Sequence, residues 1–220
     1  MRFLLSLILL FSCGCTKEEP APVEMAPPVE TRAAADERPV IVAFGDSLTA
    51  GYGLDPGLSY PDILQQLLAT EGYRYRVINA GISGDTTSGG VGRLDTVLQQ
   101  KPEIAIVALG ANDGLRGIPV AATRANLDHI ITGLKQAGAK VLLGGITLPR
   151  NYGADYIRDF DRIYPELARR HNVPLLPFLL ENVALNGKLM QSDALHPNAA
   201  GTRVVAANVR KALTPLLHKP

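Results

Sequence analysis

Four short segments of this sequence carry groups able to move a proton or to stabilise a developing charge. Gly45-Asp46-Ser47-Leu48-Thr49-Ala50-Gly51-Tyr52-Gly53 places a serine hydroxyl beside a glycine that permits a tight turn. In Asp193-Ala194-Leu195-His196-Pro197 a carboxylate stands three residues before an imidazole. Ionised Asp193 can accept a hydrogen bond from Nδ1 of His196, which fixes the tautomer that leaves Nε2 free to take a serine proton. The glycine-rich turn Gly81-Ile82-Ser83-Gly84-Asp85 can present a backbone N–H to an oxyanion, and Gly110-Ala111-Asn112-Asp113-Gly114 offers a side-chain amide for the same task. Singly, each segment reads equally well as turn or cap composition, because Asp, Asn, Ser and Gly all favour turns. The Gly-x-Ser-x-Gly elbow, the Gly-x-Gly-x-x-Gly turn and a Gly-Lys-Ser/Thr phosphate loop are all missing. His129, His171 and His218 fall within a helical pattern, near a helix end and in the tail, where packing or surface roles suffice.

The elements that must position these groups begin at Pro39. Unbroken apolar runs at Val40–Phe44, Tyr75–Ile78, Ile104–Leu109, Val141–Leu143 and Val173–Leu176 have the character of parallel strands covered on both faces. Between them, helical spacing predicts helices near 60–70, 91–100, 119–137, 156–171 and 198–217. Strand and helix in alternation imply an α/β fold, a three-layer α/β/α sandwich around about five parallel strands. Ligands of such sheets bind beyond the carboxyl ends of the strands. Three of the four segments directly follow a strand and the fourth precedes the last helix, so all should meet on one edge. Independent turns would not supply a nucleophile, a base with its orienter and two oxyanion donors together.

With those blocks in that order, the chain resembles the SGNH, or GDSL, hydrolases, a flavodoxin-like α/β/α family. Gly45–Tyr52, Asn112-Asp113-Gly114-Leu115-Arg116-Gly117, Leu148-Pro149-Arg150-Asn151-Tyr152-Gly153 and Val173–Phe178 narrow the likeness to the periplasmic acyl-CoA thioesterase I, lysophospholipase and arylesterase group of Gram-negative bacteria. The resemblance implies a serine esterase or thioesterase working through an acyl-serine intermediate. It implies Ser47 as nucleophile, His196 as base and Asp193 as orienter. The N–H groups of Ser47 and Gly84 and the Asn112 amide would form the oxyanion hole. Residues 114–119 become a flap and 146–155 a lining loop, with Leu115, Ile118, Ile146 and Leu148 as the apolar wall. Asp46, by its position, orders the turn in a supporting role. A carbohydrate or peptidoglycan O-acetyl esterase is the rival within the enzymes. A lipoprotein that keeps the fold only to bind a ligand is the rival from another class.

The ends and the composition set the remaining bounds. Arg2, the apolar run Phe3–Phe11 and the pair Cys13 and Cys15 form a lipoprotein-type signal peptide over 1–15 that leaves either cysteine open as the lipidated one. An ordinary cleaved signal with two incidental cysteines is the alternative. Residues 16–38, rich in Glu, Pro, Ala and Thr, cannot bury enough apolar surface to fold and are expected to be a disordered tether, with the hydrolase domain over 39–220. The expected location is therefore the bacterial cell envelope, periplasmic and lipid-anchored. Both cysteines precede residue 16, so the domain has no thiol nucleophile or thiolate metal site, and no cofactor or metal is expected. A net charge of +1 offers no basic face for nucleic acid, and nothing points to an obligate protein partner, which leaves a small acyl ester or thioester and the membrane.

Overall fold

Five runs rich in Val, Ile, Leu and Ala form a parallel sheet: β1 (Val40–Gly45), β2 (Arg76–Gly81), β3 (Ile104–Ala108), β4 (Lys140–Gly144) and β5 (Leu175–Leu176). The structure, a computed structural model, describes residues 36–219; the expected signal peptide and all of the expected tether except 36–38 lie outside them. Strand order is β2-β1-β3-β4-β5, and every pairing is parallel. The inner strands β1 and β3 are buried at every position, as their unbroken apolar character requires.

The helices are α1 (Ser47–Ala50), α2 (Tyr60–Thr70), α3 (Thr87–Gly92), α4 (Leu94–Leu98), α5 (Ala111–Leu115), α6 (Val120–Gln136), α7 (Ala154–Asp161), α8 (Ile163–His171) and α9 (Ala199–Leu213). Helix α2 packs with α9, while α6 packs with α3, α4 and α8, so helices cover both faces of the sheet. Leu127, Ile130, Ile131 and Leu134 of α6, spaced three and four apart, are all fully buried.

Three expected elements differ from those observed, each for a local reason. The single helix expected over 91–100 is two short ones that meet at Arg93, whose φ of −116° and ψ of 13° lie outside the helical range. The helix expected over 156–171 breaks at Arg162, because Pro165 lacks an N–H and its ring crowds the carbonyl of Asp161. Strand β5 keeps two residues of the expected four, since Pro174 cannot donate to a ladder.

The sheet also fixes where a ligand can bind. From β1 the chain steps to β2 on one side and then to β3 on the other. The reversal opens a crevice at the carboxyl ends of β1 and β3. Gly45, which ends β1, is in register with Gly81 on one side and Ala108 on the other, so the loops after all three strands leave at one level.

Candidate active site

Ser47 opens α1 directly after β1, and Asp46 caps that turn by accepting a hydrogen bond from the Leu48 N–H (3.0 Å). The serine can lie this close to the sheet because glycines stand beneath it. A Cβ on Gly81 would meet the backbone of Thr49 and Ala50, and one on Gly45 would meet the Thr49 side chain and the Ala108 carbonyl. The Ser47 hydroxyl lies 2.9 Å from Nε2 of His196.

His196 and Asp193 share one tight turn before α9. Asp193 Oδ2 is 2.6 Å from Nδ1 of His196, and its Oδ1 accepts from the N–H groups of Leu195 (2.9 Å) and His196 (3.0 Å). Ala194 between them takes a left-handed φ of 56°. An ionised carboxylate only accepts, so the imidazole proton sits on Nδ1 and Nε2 is left to accept the Ser47 O–H. Desolvation raises the Asp193 pKa, but the backbone N–H of His196, the His196 side chain, the Leu195 N–H and the imidazole charge outweigh it and bring it to about 2.

Two residues that the sequence did not single out hold this turn against α1. Gln191 donates from Nε2 to the Tyr52 carbonyl (2.7 Å) and the Pro197 carbonyl (3.0 Å), and the Tyr52 ring rests on the His196 ring with centroids 4.6 Å apart. Tyr52 lies within the Gly45–Gly53 block, and Gln191 stands two residues before Asp193. Their place in sequence was a usable signal, whereas their contacts were not.

On the other side of Ser47, Asn112 in α5 donates from Nδ2 to the Asp85 carbonyl (2.9 Å). Its neighbour Asp113 is buried and accepts from the Thr87 N–H (2.8 Å), the Thr87 hydroxyl and the Thr123 hydroxyl (3.4 Å). This network ties α5 to α3 and α6, so the Asn112 amide is carried on a fixed frame. Gly84, with a φ of 81°, lies in the loop after β2, and Arg116 donates to its carbonyl (2.8 Å).

These groups open into a cavity of about 850 Å³. Ser47, Gly84, Asn112 and His196 line it together with the apolar Leu115, Ile146, Leu148, Phe178, Leu180 and Met190. Arg150 is also among the lining residues, and no carboxylate is among those described. Ile118, expected in the wall, does not line the cavity; its carbonyl accepts from the Tyr156 hydroxyl (2.7 Å) and its N–H donates to the Asp113 carbonyl. The segment 114–119 is turned by these bonds so that Leu115, and not Ile118, faces the space.

A doubly wound parallel sheet with serine, histidine and aspartate in hydrogen-bonded series at its switch point is the arrangement of a serine hydrolase. The chain belongs to the GDSL-like lipase/acylhydrolase family, whose model matches residues 43–204. It is 44% identical over 178 residues to the esterase TesA of Pseudomonas aeruginosa, a match covering 80% of this chain and 89% of that protein. With the thioesterase 1/protease 1/lysophospholipase L1 of Escherichia coli strain K12 it shares 42% identity over 188 residues, 85% of this chain and 88% of that one. Among solved structures, the psychrotrophic esterase EstA from Pseudoalteromonas sp., inhibited by monoethylphosphonate, superposes with a TM-score of 0.77 at 34% identity, covering 80% of this chain and 97% of that chain. The chain is a serine ester hydrolase.

Proposed function

We propose that this enzyme cleaves esters and thioesters of medium or longer apolar acyl chains, including aryl esters, acyl-CoA and lysophospholipids, through an acyl-Ser47 intermediate. Ser47 Oγ attacks the acyl carbon while His196 Nε2 takes its proton, and Asp193 stabilises the imidazolium that forms. The carbonyl oxygen, now negative, is received by the N–H groups of Ser47 and Gly84 and by the Asn112 amide. Collapse expels the alcohol or thiol, which His196 protonates. Water, deprotonated in turn by His196, then attacks the acyl-serine and releases the acid.

The observation that carries this reading is the unbroken hydrogen-bond series Asp193–His196–Ser47, whose Ser47 and His196 line an apolar cavity of about 850 Å³. Such a volume falls in the range of roughly 300–1,000 Å³ that takes a whole drug-sized ligand. An acetyl group would leave most of it unfilled, which weighs against an O-acetyl esterase. Two relatives at 44% and 42% identity bear the names esterase and thioesterase/lysophospholipase.

The proposed setting is the bacterial envelope, with residues 1–15 as a lipoprotein-type signal, lipid on Cys13 or Cys15, a tether over 16–38 and the hydrolase domain from 39. Among the described residues no helix is long and apolar enough to cross a membrane.

Labelling with a fluorophosphonate tests the nucleophile: the wild type should become covalently labelled and Ser47→Ala should not. An unlabelled wild type that also hydrolyses no ester would leave a ligand-binding lipoprotein as the function. On p-nitrophenyl esters, kcat/KM should be higher for hexanoate and octanoate than for acetate, and the opposite ranking favours the O-acetyl esterase. Asn112→Ala should lower kcat by roughly 100- to 1,000-fold, the usual loss on removing one oxyanion donor. Its melting temperature should stay close to that of the wild type.

A further inference from the structure

Arg93 stands at the break between α3 and α4, where the helix expected from the sequence would have turned it along a helical face. Released from helical geometry, its guanidinium reaches the carboxyl edge of the sheet and donates to three different acceptors. Nη2 donates to the carbonyl of Gly45 at the end of β1 (2.8 Å), Nη1 to the carbonyl of Ala80 at the end of β2 (2.7 Å), and Nε to Oδ2 of Asp85 (2.7 Å). The group also lies over the Phe44 ring, with Cζ 4.4 Å from the ring centroid. Only 17% of its side chain and 11% of that of Asp85 remain exposed.

Each acceptor, two main-chain carbonyls and one carboxylate, belongs to a segment that carries the proposed nucleophile or a proposed oxyanion donor. Gly45 lies two residues before Ser47. Ala80 lies one residue before the end of β2, and the loop that follows carries Gly84. Asp85 directly follows Gly84, and its own carbonyl is the acceptor for the Asn112 amide. One planar cation therefore links the nucleophile's strand to both remaining oxyanion donors. A buried ion pair is by itself poor support for stability, since well-packed apolar residues in its place often serve as well. What a fixed fork of donors does provide is geometry: Arg presents its N–H groups in one plane at set angles, which a Lys ammonium cannot reproduce.

We infer that Arg93 is a positioning residue for hydrolysis, holding the Ser47 turn and the Gly84-Asp85 loop in register so that the Gly84 N–H and the Asn112 amide converge on the same oxygen. The inference rests on the oxyanion site proposed above. Arg93 touches no substrate. It acts by keeping the Asp85 carbonyl where it orients Asn112 and by setting the distance between the loops that follow β1 and β2. Displacing oxyanion donors by about an ångström costs on the order of 100-fold in rate, and the loss falls on the transition state more than on substrate binding.

The test is a double-mutant cycle in the full-length enzyme. Arg93→Gln should lower kcat for a p-nitrophenyl ester by roughly 30- to 100-fold with KM changed less than about 3-fold, the split expected when only transition-state contacts are lost. Arg93→Lys should recover only part of that loss. In an Asn112→Ala background the further loss on Arg93→Gln should shrink to about 3-fold or less, because the donor that Arg93 positions is already gone. Losses that multiply in full would mean that Arg93 acts on the fold as a whole, and would overturn the inference. So would Arg93→Gln with wild-type kcat. If Arg93→Gln does not fold, as judged by circular dichroism, Asp85→Asn replaces it. That variant keeps the main-chain carbonyl and weakens only the guanidinium pair, and it should show the same kcat loss in milder form and the same non-additivity; wild-type kcat in Asp85→Asn overturns the inference equally. If Asn112→Ala itself leaves kcat intact, the oxyanion reading has failed, an outcome separate from failure of the Arg93 role.

Discussion

Asp46 and Asp193 each lie within three residues of a proposed reacting side chain, and their surroundings drive them in opposite directions. Asp193 is held at about pKa 2 because, against the cost of desolvation, two backbone N–H groups and the His196 ring all favour its charged form. Its folded value lies below the ordinary 3.8, so its contribution to stability is complete above that pH and is lost only as pH falls through about 2. Asp46 is buried, and desolvation pushes it up to about 6, only partly offset by the Leu48 N–H and by attraction to His196. Its Oδ2 has no hydrogen-bond partner among the described residues. The sign then reverses. Between 3.8 and about 6 the folded protein binds more protons at this site than the unfolded chain, so the site's contribution to stability falls as pH rises across that window and is constant above it. The amide of Asp46→Asn keeps the Oδ1 acceptor and cannot ionise. Its stability relative to wild type, from urea unfolding, should therefore rise between pH 4 and pH 7 by an amount on the order of 2–3 kcal/mol. An equal difference at both pH values would show that Asp46 ionises without penalty.

The same scale shows what the sequence made legible. Ser47, Asn112, Asp193 and His196 sit in short blocks that singly read as turns and gain chemical meaning only from their coincidence at one sheet edge, while the choice of Gly84 over Gly81 comes from the family resemblance alone. Arg93 could not be named from the sequence, since its role depends on a helix break and on carbonyls 48 and 13 residues away. The resemblance implies Ile118 in the wall, but its main chain is bonded to Tyr156 and Asp113, and those partners decide where the segment turns.

Among the elements, strand positions were recoverable because a strand covered on both faces must be apolar throughout, and all five expected runs overlap the observed strands. Helix ends were less so. A proline at the third position of α8 or just beyond α9 removes a single hydrogen bond, and whether the helix stops, kinks or restarts there depends on packing that no window of sequence contains. The short helices α1 and α5 were read as turns, and both owe their form to tertiary contacts. Helix α1 is set down on the sheet through Gly45 and Gly81, so its position should be sensitive to one added methyl group. In Gly81→Ala the new Cβ would come within 2.7 Å of backbone atoms of Thr49 and Ala50, which cannot swing away as a side chain could. Overpacking of this kind costs roughly 1–3 kcal/mol. For a domain of this size that corresponds to a fall in Tm of about 2–12 °C, with kcat falling too because Ser47 rides on the displaced helix. Gly92→Ala is the control: nothing lies within 4 Å of its Cβ position, and its Tm should match the wild type. Equal behaviour of the two variants in calorimetry would show that α1 yields without cost.

At the scale of the whole chain, the catalytic parts and the proposed attachment lie in separate stretches. All five proposed site residues, the sheet and its covering helices fall within Glu37–Pro220. The core of this unit is continuous from Val40 to Leu213 and contains no cysteine, so its stability draws on apolar burial and on the hydrogen-bonded sheet and helices, without covalent cross-links. A chain beginning at residue 37 should then fold with the Tm of the longer protein and hydrolyse a soluble p-nitrophenyl ester with unchanged kcat/KM. What it should lose is the membrane. In a Gram-negative host, the full-length chain should sediment with membranes and incorporate a labelled fatty acid, and the shortened chain made with an ordinary cleavable signal should be recovered in the soluble fraction. Cys13→Ser and Cys15→Ser, made singly, identify the acceptor, since only one of them should abolish labelling. Two attached acyl chains hold a protein stably at a bilayer where one does not, so loss of the acceptor cysteine should release the enzyme almost completely. Labelling that survives both substitutions together would put the acyl group on a residue other than Cys13 or Cys15, and a shortened chain that stays with the membrane would mean that the folded domain itself binds lipid; either result overturns the proposed anchor.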